Sequence, residues 1–125
     1  MSEHANATLV RHMLDAMSRG DWAAAMDALS DDVEWHEIGR SEAYHGKAAL
    51  VAGMGAGASY YTITASSHDV LANDEHAIAL VDATAVRGGR TLKYRTAEIF
   101  HVRNGKIVER WPFSDDTAAI TAFFA

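Results

Sequence analysis

HAIALVDATAVRGGRTLKYRTAEIFHVRNGKIVERWPF, residues 76–113, consists of three β-prone runs separated by two short dipeptides, Gly88-Gly89 and Asn104-Gly105. Tight hairpin turns need positive φ at both central residues, which Gly and Asn tolerate. The stretch therefore predicts three antiparallel strands over 76–87, 90–103 and 106–113. A two-residue turn at Gly88-Gly89 sets Asp82 opposite Arg95 and His76 opposite His101. The second hairpin has two possible registers. A two-residue turn at Asn104-Gly105 puts Glu98 opposite Trp111 and Phe100 against Glu109. A three-residue loop over 103–105 with a glycine bulge puts Glu98 opposite Arg110 and Phe100 opposite Val108. The second is expected, because it matches charge with charge and apolar with apolar. Both faces of these strands carry apolar side chains, Ile78 and Leu80 on one, Ala79, Val81 and Phe100 on the other. One face covers a core, and the second calls for a partner, which predicts a homodimer.

Outward from this stretch, residues 60–72 read as a further strand and 73–75 as its turn. Residues 3–18 read as a helix with Leu9, Val10, Met13, Leu14 and Met17 on one stripe. Gly20 stops it, and Asp21 caps a second helix that faces Trp22, Ala25, Met26 and Leu29 inward. Ser30-Asp31-Asp32 ends that helix. VEWHEIG, residues 33–39, follows as a strand with Val33, Trp35 and Glu37 on one face and Glu34, His36 and Ile38 on the other. Residues 47–54 read as a third helix, GAGAS at 55–59 as a breaker, and Ser114 as the cap of a final helical turn. Pro112 sets its strand's end at an edge or bend. Helices followed by antiparallel strands argue α+β, with a sheet curled around the helices and a hollow at the mouth.

The 125 residues suit one domain, 1–125, and 49% hydrophobic content supports a core. A net charge of −6 with 11 Lys and Arg argues against nucleic acid or an anionic membrane as partner. Cys is absent, which excludes disulfides, a thiolate nucleophile and cysteine metal sites, and is compatible with a cytoplasmic setting. No apolar run approaches the roughly 18 residues of a membrane span, and the N-terminus lacks a signal-peptide pattern.

GDWAAAMDALSDDVEWHEIGRSEAYHGKAAL (20–50) and AEIFHVRNGKIVERWPF (97–113) together resemble the nuclear transport factor 2-like superfamily, in its SnoaL-like and ketosteroid isomerase-like branch. The resemblance implies a cone-shaped α+β fold with three N-terminal helices packed in a curved antiparallel sheet. It places Glu37 where ketosteroid isomerases carry their general base, and Glu98 where they carry a protonated acid that donates to the enolate oxygen. Residue by residue, Glu98 reads equally as an ionised partner of Arg110, which would leave Arg110 to bind a carbonyl or anionic oxygen. The sequence departs from the family twice. Met13 stands where the oxyanion-hole Tyr is expected. Pro112 stands where SnoaL-like cyclases and epoxide hydrolases carry an essential Asp.

The expected function is cofactor-independent proton transfer, isomerase-like or cyclase-like, on a small apolar carbonyl-bearing molecule. Glu37, Glu98 and Arg110 are the candidate catalytic residues, and Met13, Trp35, Met54, Tyr94 and Phe100 the candidate pocket walls. The alternative is a non-catalytic module binding a small hydrophobic ligand. No metal site is expected. His76 and His101 lack a visible third ligand, His36-Glu37 has no zinc spacing, and His36 and His45 read as solvated residues at the pocket rim.

Overall fold

In the computed structural model, which describes residues 3–57 and 60–125, the order is α1 (Ala5–Ser18), α2 (Trp22–Asp27), β1 (Leu29–Trp35), β2 (Tyr44–His45), α3 (Lys47–Gly57), β3 (Thr62–Ala72), β4 (His76–Arg87), β5 (Arg90–Arg103), β6 (Lys106–Ser114) and α4 (Thr117–Phe124). The strands form one sheet in the order β2-β1-β6-β5-β4-β3. Every pairing is antiparallel except β1 with β6, which is parallel and departs from the all-antiparallel expectation.

α1 begins where the His4 ring accepts from the Asn6 N–H at 3.0 Å, and it buries Ala7, Val10, Met13 and Ala16 against the sheet. Gly20 turns the chain with φ +72°, and Asp21 caps α2 by accepting from Ala24 N–H at 3.2 Å. α2 is shorter than expected. Leu29 through Asp32 belong to β1, because Leu29 and Val33 reach the core only from an extended backbone. α3 is longer than expected and continues through the glycines to Gly57, so Gly55–Gly57 do not break it. Gly53 and Gly57 leave room for the rings of Tyr44 and Tyr61, which a Cβ at either position would meet. Ala58 and Ser59, the rest of the expected breaker, lie outside the described residues. Asp116, not Ser114, caps α4, accepting from Ala119 N–H at 3.0 Å.

The first hairpin has the expected register, with Asp82 opposite Arg95 and His76 opposite His101. The second combines the two alternatives. Asn104 (φ 52°) and Gly105 (φ 74°) form a two-residue turn that pairs Arg103 with Lys106. The extra residue sits at Val108 instead, as a bulge between the Val102–Ile107 and His101–Glu109 pairs. Ile107 is fully buried and Arg110 also faces inward, and three residues apart they share a face only if one residue is skipped. Glu98 and Arg110 do share that face. Arg110 lies opposite Phe100, however, and Pro112 opposite Glu98. β1 pairs with β6 only as far as Trp35–Arg110, so Pro112 meets no ladder on that side.

Met13, Leu29, Leu50, Phe100 and Ile107 form the deepest part of the core. No described helix is long and apolar enough to cross a membrane.

Candidate functional site

Above that core the curled sheet leaves a cavity of about 440 Å³. α1 contributes Leu14 and Met17, α3 contributes Met54, the strands contribute Trp35, Val81, Tyr94 and Thr96, and α4 contributes Ile120 and Phe124. The walls are mainly apolar, and the carboxyl and guanidinium groups among them stand at two positions.

Glu37 is the first. It follows the end of β1, where His36 N–H still donates to the Arg110 carbonyl at 3.0 Å. The chain then turns, with Arg40 N–H donating to the Glu37 carbonyl at 3.2 Å and Gly39 at φ +86°. The turn brings Glu37 and Ile38 both to the cavity, so Ile38 does not face away as strand alternation predicted. No ion pair among the described residues engages the Glu37 carboxylate.

Glu98 and Arg110 are the second. Arg110 donates to Glu98 Oε1 from Nη2 at 2.8 Å and from Nε at 3.1 Å. Thr96 Oγ1 donates to Glu98 Oε2 at 3.0 Å. Arg110 Nη1 donates to the His36 carbonyl at 2.7 Å, and the guanidinium stands 4.6 Å from the Trp35 ring centroid. Both Glu98 oxygens thus act as acceptors. The guanidinium has five N–H groups, so two stay free of these bonds at the edge of the cavity.

Two phenols complete the polar set. Burial, reinforced by the Glu98 carboxylate, pushes Tyr94 above the usual phenol range. Burial and then the Glu37 charge do the same for Tyr61. Both therefore remain O–H donors at any physiological pH. Tyr61 was not singled out from the sequence, and the final helical turn was expected there but not as a cavity wall; its Phe124 meets Tyr61 edge to face at 4.8 Å and Tyr94 at 6.5 Å. The run Ile120, Phe123, Phe124 was the available signal.

Trp35, Met54 and Tyr94 line the cavity, but Met13 and Phe100 do not. Both are fully buried one layer below it, with Phe100 packed at 6.3 Å against Trp35. The cone tapers, and these side chains fill its narrow end. His36 and His45 do not flank the mouth either. Their rings lie on the convex side of the sheet, 3.5 and 3.8 Å from Glu34, because strand alternation continues through His36 before the turn begins.

A curled sheet closed by helices around a mainly apolar cavity defines the nuclear transport factor 2-like class. The profile of the SnoaL-like domain matches residues 10–110, and the chain belongs to that family. The uncharacterized protein Rv0034 of Mycobacterium tuberculosis is 34% identical over 131 residues that cover all of both chains. Among solved structures, Bal32a from a soil-derived mobile gene cassette matches with a TM-score of 0.89 and 27% identity over 97% of each chain. A candidate polyketide cyclase of Xanthomonas campestris pv. campestris matches at 0.85 and 22%, again over 97% of each chain. An epoxide hydrolase of M. tuberculosis matches at 0.77 and 17%, over 89% of this chain and 83% of its own. The last two likenesses concern the fold.

Proposed function

We propose that the protein is a small-molecule enzyme that moves a proton on an apolar, carbonyl-bearing substrate without a cofactor. The observation that carries this reading is that one mainly apolar cavity is lined both by Glu37, whose carboxylate joins no ion pair among the described residues, and by Arg110, which has N–H groups to spare. Glu37 takes a proton from the carbon next to the carbonyl. The negative charge that develops on the oxygen accepts from Arg110 and from the Tyr94 O–H, and Glu37 returns the proton to a different carbon. Glu98 positions Arg110 and does not itself donate, since both its oxygens already accept. Isomerisation fits better than cyclase or epoxide-hydrolase chemistry, because Pro112 lines the cavity where the resemblance calls for an essential Asp.

The test is exchange of substrate α-hydrogens in D₂O across a panel of apolar cyclic ketones. The native chain is expected to exchange at least one of them, and Glu37→Gln to lose about a hundredfold or more of that rate. Saturable ligand binding with no exchange would move the reading to a non-catalytic binding module. An undiminished Glu37→Gln would remove Glu37 as the base.

The convex face supports a second assignment, a homodimer. Leu71, Ile78, Ile99 and Trp111 lie opposite one another in one row across β3, β4, β5 and β6, and Leu80, Ala97 and Phe113 form the next row. Leu71 and Phe113 are each 55% exposed, an apolar face that a second copy would cover.

A further inference from the structure

A different row crosses the same face nearer β2. His45 lies opposite Glu34, Glu34 opposite Glu109, Glu109 opposite His101, and His101 opposite His76. His36 stands beside Glu34 on β1's outer side, with Nε2 3.5 Å from Glu34 Oε2. The sequence scatters these residues, and the parallel pairing of β1 with β6 joins them. One donor atom from each of Glu34, His36 and Glu109 lies within 4.8 Å of the other two. A further imidazole nitrogen stands by each carboxylate, His45 Nδ1 at 3.8 Å from Glu34 and His101 Nδ1 at 3.8 Å from Glu109. No Lys or Arg among the described residues pairs with either carboxylate. Two carboxylates abut with no fixed cation between them, and imidazoles stand alongside.

The geometry points to a divalent metal site of the zinc class on the convex face, with Glu34, His36 and Glu109 as its ligands. Mixed nitrogen and oxygen donors suit zinc-class ions, whereas magnesium and calcium favour oxygen alone. Zinc takes such donors at about 2.0–2.2 Å, which sets tetrahedral ligand atoms roughly 3.4 Å apart. Binding would draw the three donor atoms, now within 4.8 Å of one another, in to that spacing. Water or His45 fills the remaining position. All three ligands come from one chain, so the site does not depend on the proposed dimer. An ion there clamps β1 to β6 on the far side of the sheet from the cavity.

The experiment is calorimetric titration of the chelator-treated full chain with zinc chloride at neutral pH. One equivalent per chain is expected, retained against a large excess of magnesium, and cobalt in its place is expected to show the visible d–d bands of nitrogen–oxygen coordination. His36→Ala and Glu109→Gln are each expected to weaken zinc binding about tenfold or more. His68→Ala leaves it unchanged, because that ring pairs with Asp82 away from the row. No saturable uptake, uptake that magnesium displaces equally well, or uptake unaltered in both variants would overturn the site. If either variant fails to fold, the zinc–magnesium selectivity and cobalt spectrum of the native chain decide.

Discussion

Arg110 ties three parts of the site together: Glu98 on the neighbouring strand, the His36 carbonyl at the end of β1, and the face of Trp35. The pair with Glu98 is almost fully buried, and a buried ion pair is felt mainly when one member is lost. Arg110→Met is therefore expected to destabilise the fold by about 3–5 kcal/mol in urea unfolding. Adding Glu98→Gln to it should restore part of that loss, and strictly additive costs would show that the two side chains are not coupled. Tyr94 gives the residue scale its pH dependence. Its folded pKa is raised, so the stability it contributes is fully present below its unfolded pKa of about 10 and is lost as pH rises through the folded value. Tyrosine absorbance should show late-titrating phenols in the native chain, with one fewer in Tyr94→Phe. That variant should also lose stability less steeply in alkali.

At the scale of elements, the turns hold the strongest local information. Gly105 sits at φ 74° with open space around it, so Gly105→Ala loses no contact and meets none. Its cost is conformational only, expected at about 1 kcal/mol in chemical denaturation with the slope unchanged. Such positions are legible in a sequence, because a single residue type answers a single backbone demand. The β4–β5 register, Asp82 with Arg95 and His76 with His101, was readable for that reason. The Val108 bulge was not, since it answers a demand shared between Ile107 for the core and Arg110 for the cavity. The start of β1 was hidden similarly. Leu29 continues a helical stripe in sequence, and only its place opposite Ile107 makes it a strand residue. That Glu37, Glu98 and Arg110 line the cavity could be anticipated from the resemblance, although a turn beyond β1, not strand parity, brings Glu37 there, and Arg110 lies opposite Phe100 rather than Glu98. Tyr61 carried no such signal and α4 only an apolar run, because their approach to the cavity follows from how far the sheet curls. Met13 and Phe100 carry the same message from the other side, as the depth at which a cone narrows is set by no single residue.

For the molecule as a whole, the exposed rows on the convex face carry the assembly prediction. Static light scattering at micromolar concentration should give twice the mass of one chain, and Ile78→Lys with Phe113→Lys should give one. A native chain that scatters as a monomer would remove the dimer. The parallel pair has a consequence of another kind. Leu29 lies opposite Ile107, so the first strand finds its partner more than half a chain length later. Closing a loop of that size costs entropy before any contact repays it, and contacts so distant in sequence slow folding. β3 to β6 pair as successive hairpins, each with its neighbour in sequence. β1 has no such neighbour except the two residues of β2, and Val33 and Trp35 stay without their sheet until residues 106–114 have been made. The cavity is then among the last features of the nascent chain to take shape, and a chain arrested before β6 carries its apolar N-terminal third uncovered, a form suited to chaperones and proteases.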